Sequence, residues 1–152
     1  MILVDAGPLV ALLDRRDQHH PACVEALRSI KVRMVTSWPV LTEAMYLLID
    51  VPVAQRGLWE LLERRVISLL PLDDSDVPRM RELMGKYAKR PMDLADASLV
   101  RLAEREGLDT VFTVDRKDFQ VYRRGGRRPF RLLPEPAPAK RGTPRSKRTR
   151  PK

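Results

Sequence analysis

Short apolar runs recur at Ile2 to Val4, Val32 to Thr36, Val66 to Leu70, Thr110 to Val114 and Phe130 to Leu133, and each reads as a strand. Between them apolar residues return every three or four positions. That spacing predicts helices over Pro8 to Leu13, Pro21 to Ile30, Pro39 to Ile49, Val53 to Arg65, Ser75 to Tyr87 and Asp93 to Glu106. Several begin with proline, which suits a first helical turn, and Gly107 stops the last. Strands alternating with helices predict an α/β fold, a mostly parallel sheet with helices on both faces. No internal repeat is present.

Against this pattern a few carboxylates stand out. The opening stretch MILVDAGPLV is an apolar strand that ends on Asp5, and VFTVDRKDF repeats the arrangement with Asp115 and, three residues on, Asp118. Ligands of open parallel sheets bind beyond the carboxyl ends of the strands, where the strand order reverses. Two strands therefore deliver acids to what the pattern makes one edge. The stretch WPVLTEAMYLLID is apolar nearly all round, which predicts a buried helix, and Glu43 is its one charged residue between Pro39 and Ile49. In PMDLADASLVRLAEREG, Leu99, Val100 and Ala103 share a face with Asp96, so this acid faces inward while Arg101 and Arg105 point away. Asp93, one turn earlier, sits where a helix cap belongs and reads as a cap first and a ligand second.

Taken singly, Asp5 and Asp115 read more simply as a helix cap and the start of a turn. Glu43 and Asp96 resist that reading, because outward positions were available on both helices. Jointly, the four placements favour one shared site. Carboxylates within about 4 Å of each other repel by roughly 4 kcal/mol per pair at an effective dielectric of 20, so such a cluster requires a cation. Oxygen ligands without histidine or cysteine select Mg²⁺ or Mn²⁺ over zinc. The matching reaction is metal-assisted hydrolysis of a phosphodiester.

Composition narrows the setting. With 152 residues, 17.5 kDa and 43% hydrophobic residues, the chain is expected to form one domain with a full core. No stretch is long and apolar enough for a bilayer, and the start lacks signal-peptide character, so the expected location is the cytoplasm, with no membrane partner. Cys23, the one cysteine, excludes an intrachain disulfide and a cysteine-rich zinc site. The formal charge is +9, yet residues 134–152 hold seven Lys and Arg against Glu135, which is +6 and leaves +3 for the rest. Five prolines and little to bury mark residues 134–152 as a disordered basic tail, and the folded domain is expected to span residues 1–133.

The stretches VDAGPLVALLD, LTEAMYLL, MDLADASLV and FTVDRKDF, in this order, resemble the PIN-domain nucleases, in particular VapC-type toxins of toxin–antitoxin pairs. The resemblance implies a three-layer α/β/α sandwich whose acidic pocket binds Mg²⁺ or Mn²⁺ and cuts RNA. It carries over Asp5, Glu43, Asp96 and Asp115 as the catalytic acids, with Asp5, Asp96 and Asp115 on the metal and Asp93 and Asp118 as accessories. Thr113, in the same resemblance, holds the Asp115 carboxylate or a metal-bound water. It further implies a homodimer held inactive by a small antitoxin protein. One departure is Gly7, where many members carry Ser or Asn, so a polar contact at the pocket rim is expected to be missing.

Arg123, Arg124, Arg127 and Arg128 flank Gly125 and Gly126 in YRRGGRRPF. This loop reads either as a solvated hairpin or as a phosphate-binding lip for RNA beside the acids, and its closeness to Asp115 in sequence tilts toward the lip. The leading expectation is a metal-dependent endoribonuclease. The rival is a non-catalytic RNA-binding module in which the acids are structural and the arginines supply affinity. An acid-pocket phosphatase is disfavoured because no second acid stands two residues after Asp5. The phosphate loop of nucleotide-driven enzymes and the dinucleotide fingerprint are both absent from the sequence.

Overall fold

The computed structural model describes residues 1–90 and 92–135, so the predicted basic tail lies, beyond Glu135, outside the described residues. Five strands, β1 (Ile2–Val4), β2 (Met34–Thr36), β3 (Ile67–Leu69), β4 (Thr110–Phe112) and β5 (Arg131–Leu133), form one sheet in the order β3-β2-β1-β4-β5. Every pairing is parallel, with Leu3 opposite both Val35 and Val111. The three inner strands are buried throughout, which is why their sequences run apolar without alternating, whereas the edge strands β3 and β5 are partly exposed. The strands are shorter than predicted. Val32 and Val66 are exposed and precede the pairing, and Val114 leaves the sheet.

Helices α1 (Ala6–Leu13) and α2 (His20–Ser29) join β1 to β2, and α3 (Trp38–Leu47) and α4 (Pro52–Glu63) join β2 to β3. Helices α5 (Val77–Lys86) and α6 (Leu94–Glu106) join β3 to β4, and a short α7 (Arg116–Phe119), which the periodicity does not predict, precedes β5. Right-handed crossovers place α1 to α4 on one face and α5 to α7 on the other. The packing of α1 against α2, α3 and α4, and of α5 against α6, follows that division, and α3 also meets α6 across it. The chain runs outward from β1 through β2 and β3, then returns to β1's other side as β4. The switch point is therefore the crevice between β1 and β4.

Two expectations about helices are corrected. The helix expected from Ser75 to Tyr87 is split, because Asp73 and Asp76 cap each other's backbone and tighten Asp74–Asp76 into a 3-10 turn ahead of α5. Helix α3 is not buried all round. Val40, Leu41 and Ala44 face the core, but Trp38, Tyr46 and Leu47 are exposed, since α1 and α6 pack only one side of it.

Helix α6 is the most deeply set helix, with seven buried residues from Ala95 to Ala103, and Gly107 ends it in the left-handed conformation at φ 69°. Its outward arginines are anchored. Asp76 is 1% exposed and accepts hydrogen bonds from Arg101 Nε at 2.7 Å and Arg105 Nη1 at 2.6 Å. These bonds tie the turn before α5 to the middle of α6 and so fix the height of α6 beside the sheet. Removing the carboxylate leaves two guanidinium groups facing each other in a half-buried space. Asp76→Asn is expected to lower the unfolding free energy by about 3 kcal/mol, read as a lower urea midpoint with unchanged slope. A midpoint within error of the parent contradicts the anchoring role.

Candidate active site

Because Val4 pairs with Phe112, the next residues, Asp5 and Thr113, leave the sheet side by side. The Asp5 backbone N–H still donates to the Phe112 carbonyl at 2.9 Å, which holds the two strand ends together. Asp5 then caps α1: its Oδ1 accepts the Ala6 N–H at 2.8 Å, and its Oδ2 accepts the Thr113 hydroxyl at 2.7 Å. The same Thr113 oxygen accepts the Asp115 backbone N–H at 3.0 Å. Thr113 thus supports the first acid directly and the last through its backbone, not through the Asp115 carboxylate. The register between β1 and β4 decides this.

Asp115 in turn caps α7, and Asp93 caps α6 by accepting the Asp96 N–H at 2.8 Å. Asp96 lies in the first turn of α6, half-buried, where the positive end of the helix favours a carboxylate. Its Oδ2 accepts the Tyr122 hydroxyl at 2.9 Å. Tyr122 is fully buried and packs edge-on against Phe119 and Tyr87, with ring centroids 5.3 and 5.0 Å away. Sequence reasoning missed this tyrosine, and it also missed Ser37 and Ser98, whose hydroxyls meet at 2.6 Å and join the start of α3 to α6.

Asp5, Glu43, Asp93, Asp96, Asp115 and Asp118 line one cavity of about 250 Å³, together with Gly7, Leu47 and Val114. The predicted acids and their accessories are therefore brought to a single place at the switch point. Among the described residues, no lysine, arginine or histidine lines that cavity. Only Asp118 has an ion pair among the described residues, with Arg90 at 3.8 Å. Gly7 has a steric reason to lack a side chain: a Cβ there would collide with Val114 Cγ2. Val114, a stiff β-branched residue, occupies the rim beside Gly7, where a polar contact was expected to be missing.

The crowding shows in the proton affinities. Burial raises the Asp5 carboxyl to about 6, with hydrogen bonds from Thr113 and Ala6 opposing it and the charges of Asp93 and Asp115 adding to it. Burial and then Asp93, Asp5 and Asp115 raise Glu43 to about 7. Asp96 is raised furthest, to about 8, by burial and the charges of Asp93, Asp5 and Glu43, against the Tyr122 hydrogen bond. Asp118 is raised as well, by burial and by Asp115.

An all-oxygen donor set suits a hard divalent cation such as Mg²⁺ or Mn²⁺. Among the described residues, no three acidic, histidine or cysteine side chains are gathered closely enough to grip an ion directly. The carboxylates ring the cavity instead, which suits Mg²⁺, an ion that commonly keeps several of its waters.

The arginine loop does not join this cavity. Arg124 and Arg128 pair as a small antiparallel hairpin, and Arg124, Arg127 and Arg128 line a separate cavity at the far end of α6. Arg123 donates to the carbonyls of Gln120, Val121 and Tyr122 and closes the end of α7. The expected lip beside the acids is displaced because the chain after Tyr122 runs along α6, away from Asp96.

Residues 2–125 match the family model described as PIN domain, and the chain belongs to that family. It is similar to Ribonuclease VapC26 of Mycobacterium tuberculosis, 27% identical over 143 residues that cover 88% of this chain and all of that protein. Among solved structures it resembles Mycobacterium tuberculosis VapC20, described as a sarcin–ricin loop cleaving toxin, with a TM-score of 0.67, 18% identity, and coverage of 73% of this chain and 87% of that one. A chain of a toxin–antitoxin complex from Klebsiella pneumoniae superimposes with a TM-score of 0.62 at 21% identity, covering 80% of this chain and 92% of the other. Both structures share the PIN-like fold.

Asp5, Glu43 and Asp96 hold protons more tightly in the folded chain than in the unfolded one, where carboxyls titrate near about 4. Stability from these groups is full below that value and is lost as the pH rises through 6 to 8. In EDTA, the melting temperature is expected to fall between pH 5 and pH 8.5 and to fall less for Asp96→Asn. A profile that is flat, or identical in the variant, contradicts the crowding.

Proposed function

We propose that this PIN domain is a Mg²⁺- or Mn²⁺-dependent endoribonuclease, the toxin of a type II toxin–antitoxin pair, acting in the cytoplasm. The observation that carries the reading is the cavity itself, lined among the described residues by six carboxylates and no basic group at the carboxyl end of β1 and β4. The similarity to a protein named as a ribonuclease over its whole length supports RNA as the substrate.

In this reading Asp5, Asp96 and Asp115 hold the cation. When bound, a divalent ion supplies charge for the scissile phosphate and a lowered pKa for the attacking water. The chain's own groups do the rest. Thr113 and the Ala6 N–H keep Asp5 ionised and pointed into the cavity. Tyr122 orients Asp96. Glu43, raised to about 7, is suited to accept a proton from water near neutral pH. Asp93 fixes the start of α6 and, with Asp118, adds negative charge at the mouth. The nuclease domain is taken to span residues 1–133.

The partners follow from the outer face of α3. Trp38, Tyr46 and Leu47 are exposed on α3 and Ile49 just after it, and Leu47 also lines the acid cavity. We assign this face to a small antitoxin that closes the cavity mouth, and infer a second copy of the chain as a further partner. The similarity to a chain of a toxin–antitoxin complex supports a protein ligand of this kind. That no three acids among the described residues are gathered closely enough to grip an ion directly favours one competing reading, an RNA-binding module that does not cut.

Purified protein incubated with structured RNA separates the two. Cleavage with Mg²⁺ or Mn²⁺ is expected, abolished by EDTA and reduced by at least about 100-fold in Asp5→Asn and in Asp96→Asn. Cleavage that survives chelation and both substitutions overturns the metal mechanism. RNA binding without any cleavage assigns the chain to the competing class.

A further inference from the structure

The second cavity, about 620 Å³, is lined by Arg79, Arg124, Arg127 and Arg128 and by one carboxylate, Glu104. That carboxylate is already satisfied. Arg79 grips it with two bonds, Nε to Oε2 at 2.9 Å and Nη2 to Oε1 at 2.7 Å, and the Gly125 N–H adds a third at 2.9 Å. Arg124, Arg127 and Arg128 have no ion pair among the described residues.

The hairpin makes this arrangement costly. Arg124 and Arg128 are cross-strand partners, and like charges set directly opposite destabilise a strand pair. Gly125 and Gly126, at φ 52° and 74°, supply the tight tip that forces the arginines together. The Lys86 ammonium lies over that tip, 3.6 Å from where a Gly126 Cβ would stand. Most telling, Arg124 Nε is buried and has no hydrogen-bond partner among the described residues. A buried guanidinium N–H without an acceptor costs free energy and adds to the like-charge strain, which an oxyanion bound by the outer guanidinium nitrogens offsets.

The cavity also has a fixed relation to the acids. Glu104 lies eight residues after Asp96 on α6, about 12 Å along the helix. The segment from Tyr122, bonded to Asp96, to Gly125, bonded to Glu104, spans the two sites. We propose that this arginine cavity is an anion site that seats a backbone phosphate of the RNA strand, away from the phosphate that is cut. Bidentate guanidinium groups match phosphate oxygens, and such contacts position a strand without reading its bases. The inference rests on the nuclease reading for the identity of the strand, but it assigns affinity and register to the arginines and leaves the chemistry to the acids.

The test is binding without cleavage. A fluorescein-labelled single-stranded RNA is titrated in EDTA with the full chain, with Arg124→Gln/Arg127→Gln/Arg128→Gln, and with a charge-matched control, Arg28→Gln/Lys31→Gln/Arg33→Gln. The arginine-cavity variant is expected to bind at least about tenfold more weakly and to lose about 0.7 from the slope of log K against log salt, as one phosphate contact on a single strand implies. The control is expected to change neither by as much. Inorganic phosphate is expected to raise the melting temperature of the parent chain and not that of the cavity variant, whose own melting temperature in phosphate-free buffer stays level or rises.

Equal RNA affinity and salt slope in the cavity variant and the control overturn the proposal. Phosphate stabilisation without any RNA effect also overturns it, since the site then serves a free anion. The nuclease reading fails separately, on the absence of cleavage with Mg²⁺ or Mn²⁺ by the parent chain.

Discussion

Desolvation of the Asp5 carboxylate is the constraint around which the molecule is arranged. A charge at the tip of the central strand sits on the core and is nearly out of water, and its position cannot be moved without changing the register of β1. Three groups make that position tolerable: the Ala6 N–H at the start of α1, the Thr113 hydroxyl at the end of β4, and the open cavity into which the acid faces. The first two come from adjacent strands whose order reverses at this crevice, so the topology and the acid's environment are one fact seen twice. The remaining acids then add charge where charge is already hard to hold, and burial and mutual repulsion raise Asp5, Glu43 and Asp96 together.

Helix α6 distributes the electrostatics. Its first turn carries Asp93 and Asp96, its middle is anchored by Asp76 through Arg101 and Arg105, and its last turns carry Glu104 against Arg79. The contrast between these groups is informative. Asp76 and Glu104 are held below the usual carboxylate range, because each has arginines within hydrogen-bond reach. Among the described residues the cavity acids have only Arg90, which stands 3.8 Å from Asp118. A chain with this many arginines places only that one near the switch-point acids among the described residues, while Arg124, Arg127 and Arg128, without an ion pair among those residues, line a different cavity. One helix thereby has a carboxylate-lined cavity at its start and an arginine-lined cavity at its end.

Much of the fold and of the acid set was legible from residue patterns. The strands are uninterrupted apolar runs because both faces of the sheet are covered; Glu43 and Asp96 stand out because each sits on the apolar side of its helix, and Asp5 and Asp115 because each ends an apolar strand. Asp93 was readable as a cap because a capping acid precedes a helical run by position alone. What was hidden depends on contacts between distant segments. The Thr113 to Asp5 bond needs the register of strands 108 residues apart, and the Tyr122 to Asp96 bond needs the path of the chain after α7. The outer face of α3 misled because apolar content says how many faces a helix wants covered, not how many neighbours the topology supplies. The arginine loop misled for a related reason: nearness to Asp115 in sequence says nothing of the direction in which the hairpin leaves. Gly7 looked like a missing contact and is instead matched to Val114.

The central claim is that the separated acids act as one cation site. Calorimetric titration of Mn²⁺ into the RNA-free protein near pH 7.5, in buffers of different ionisation enthalpy, measures this directly. The account predicts saturable binding accompanied by net release of protons from the acid cavity, with both the binding and the release lost in Asp96→Asn. Absence of saturable binding, or binding that releases no protons and survives that substitution, contradicts it.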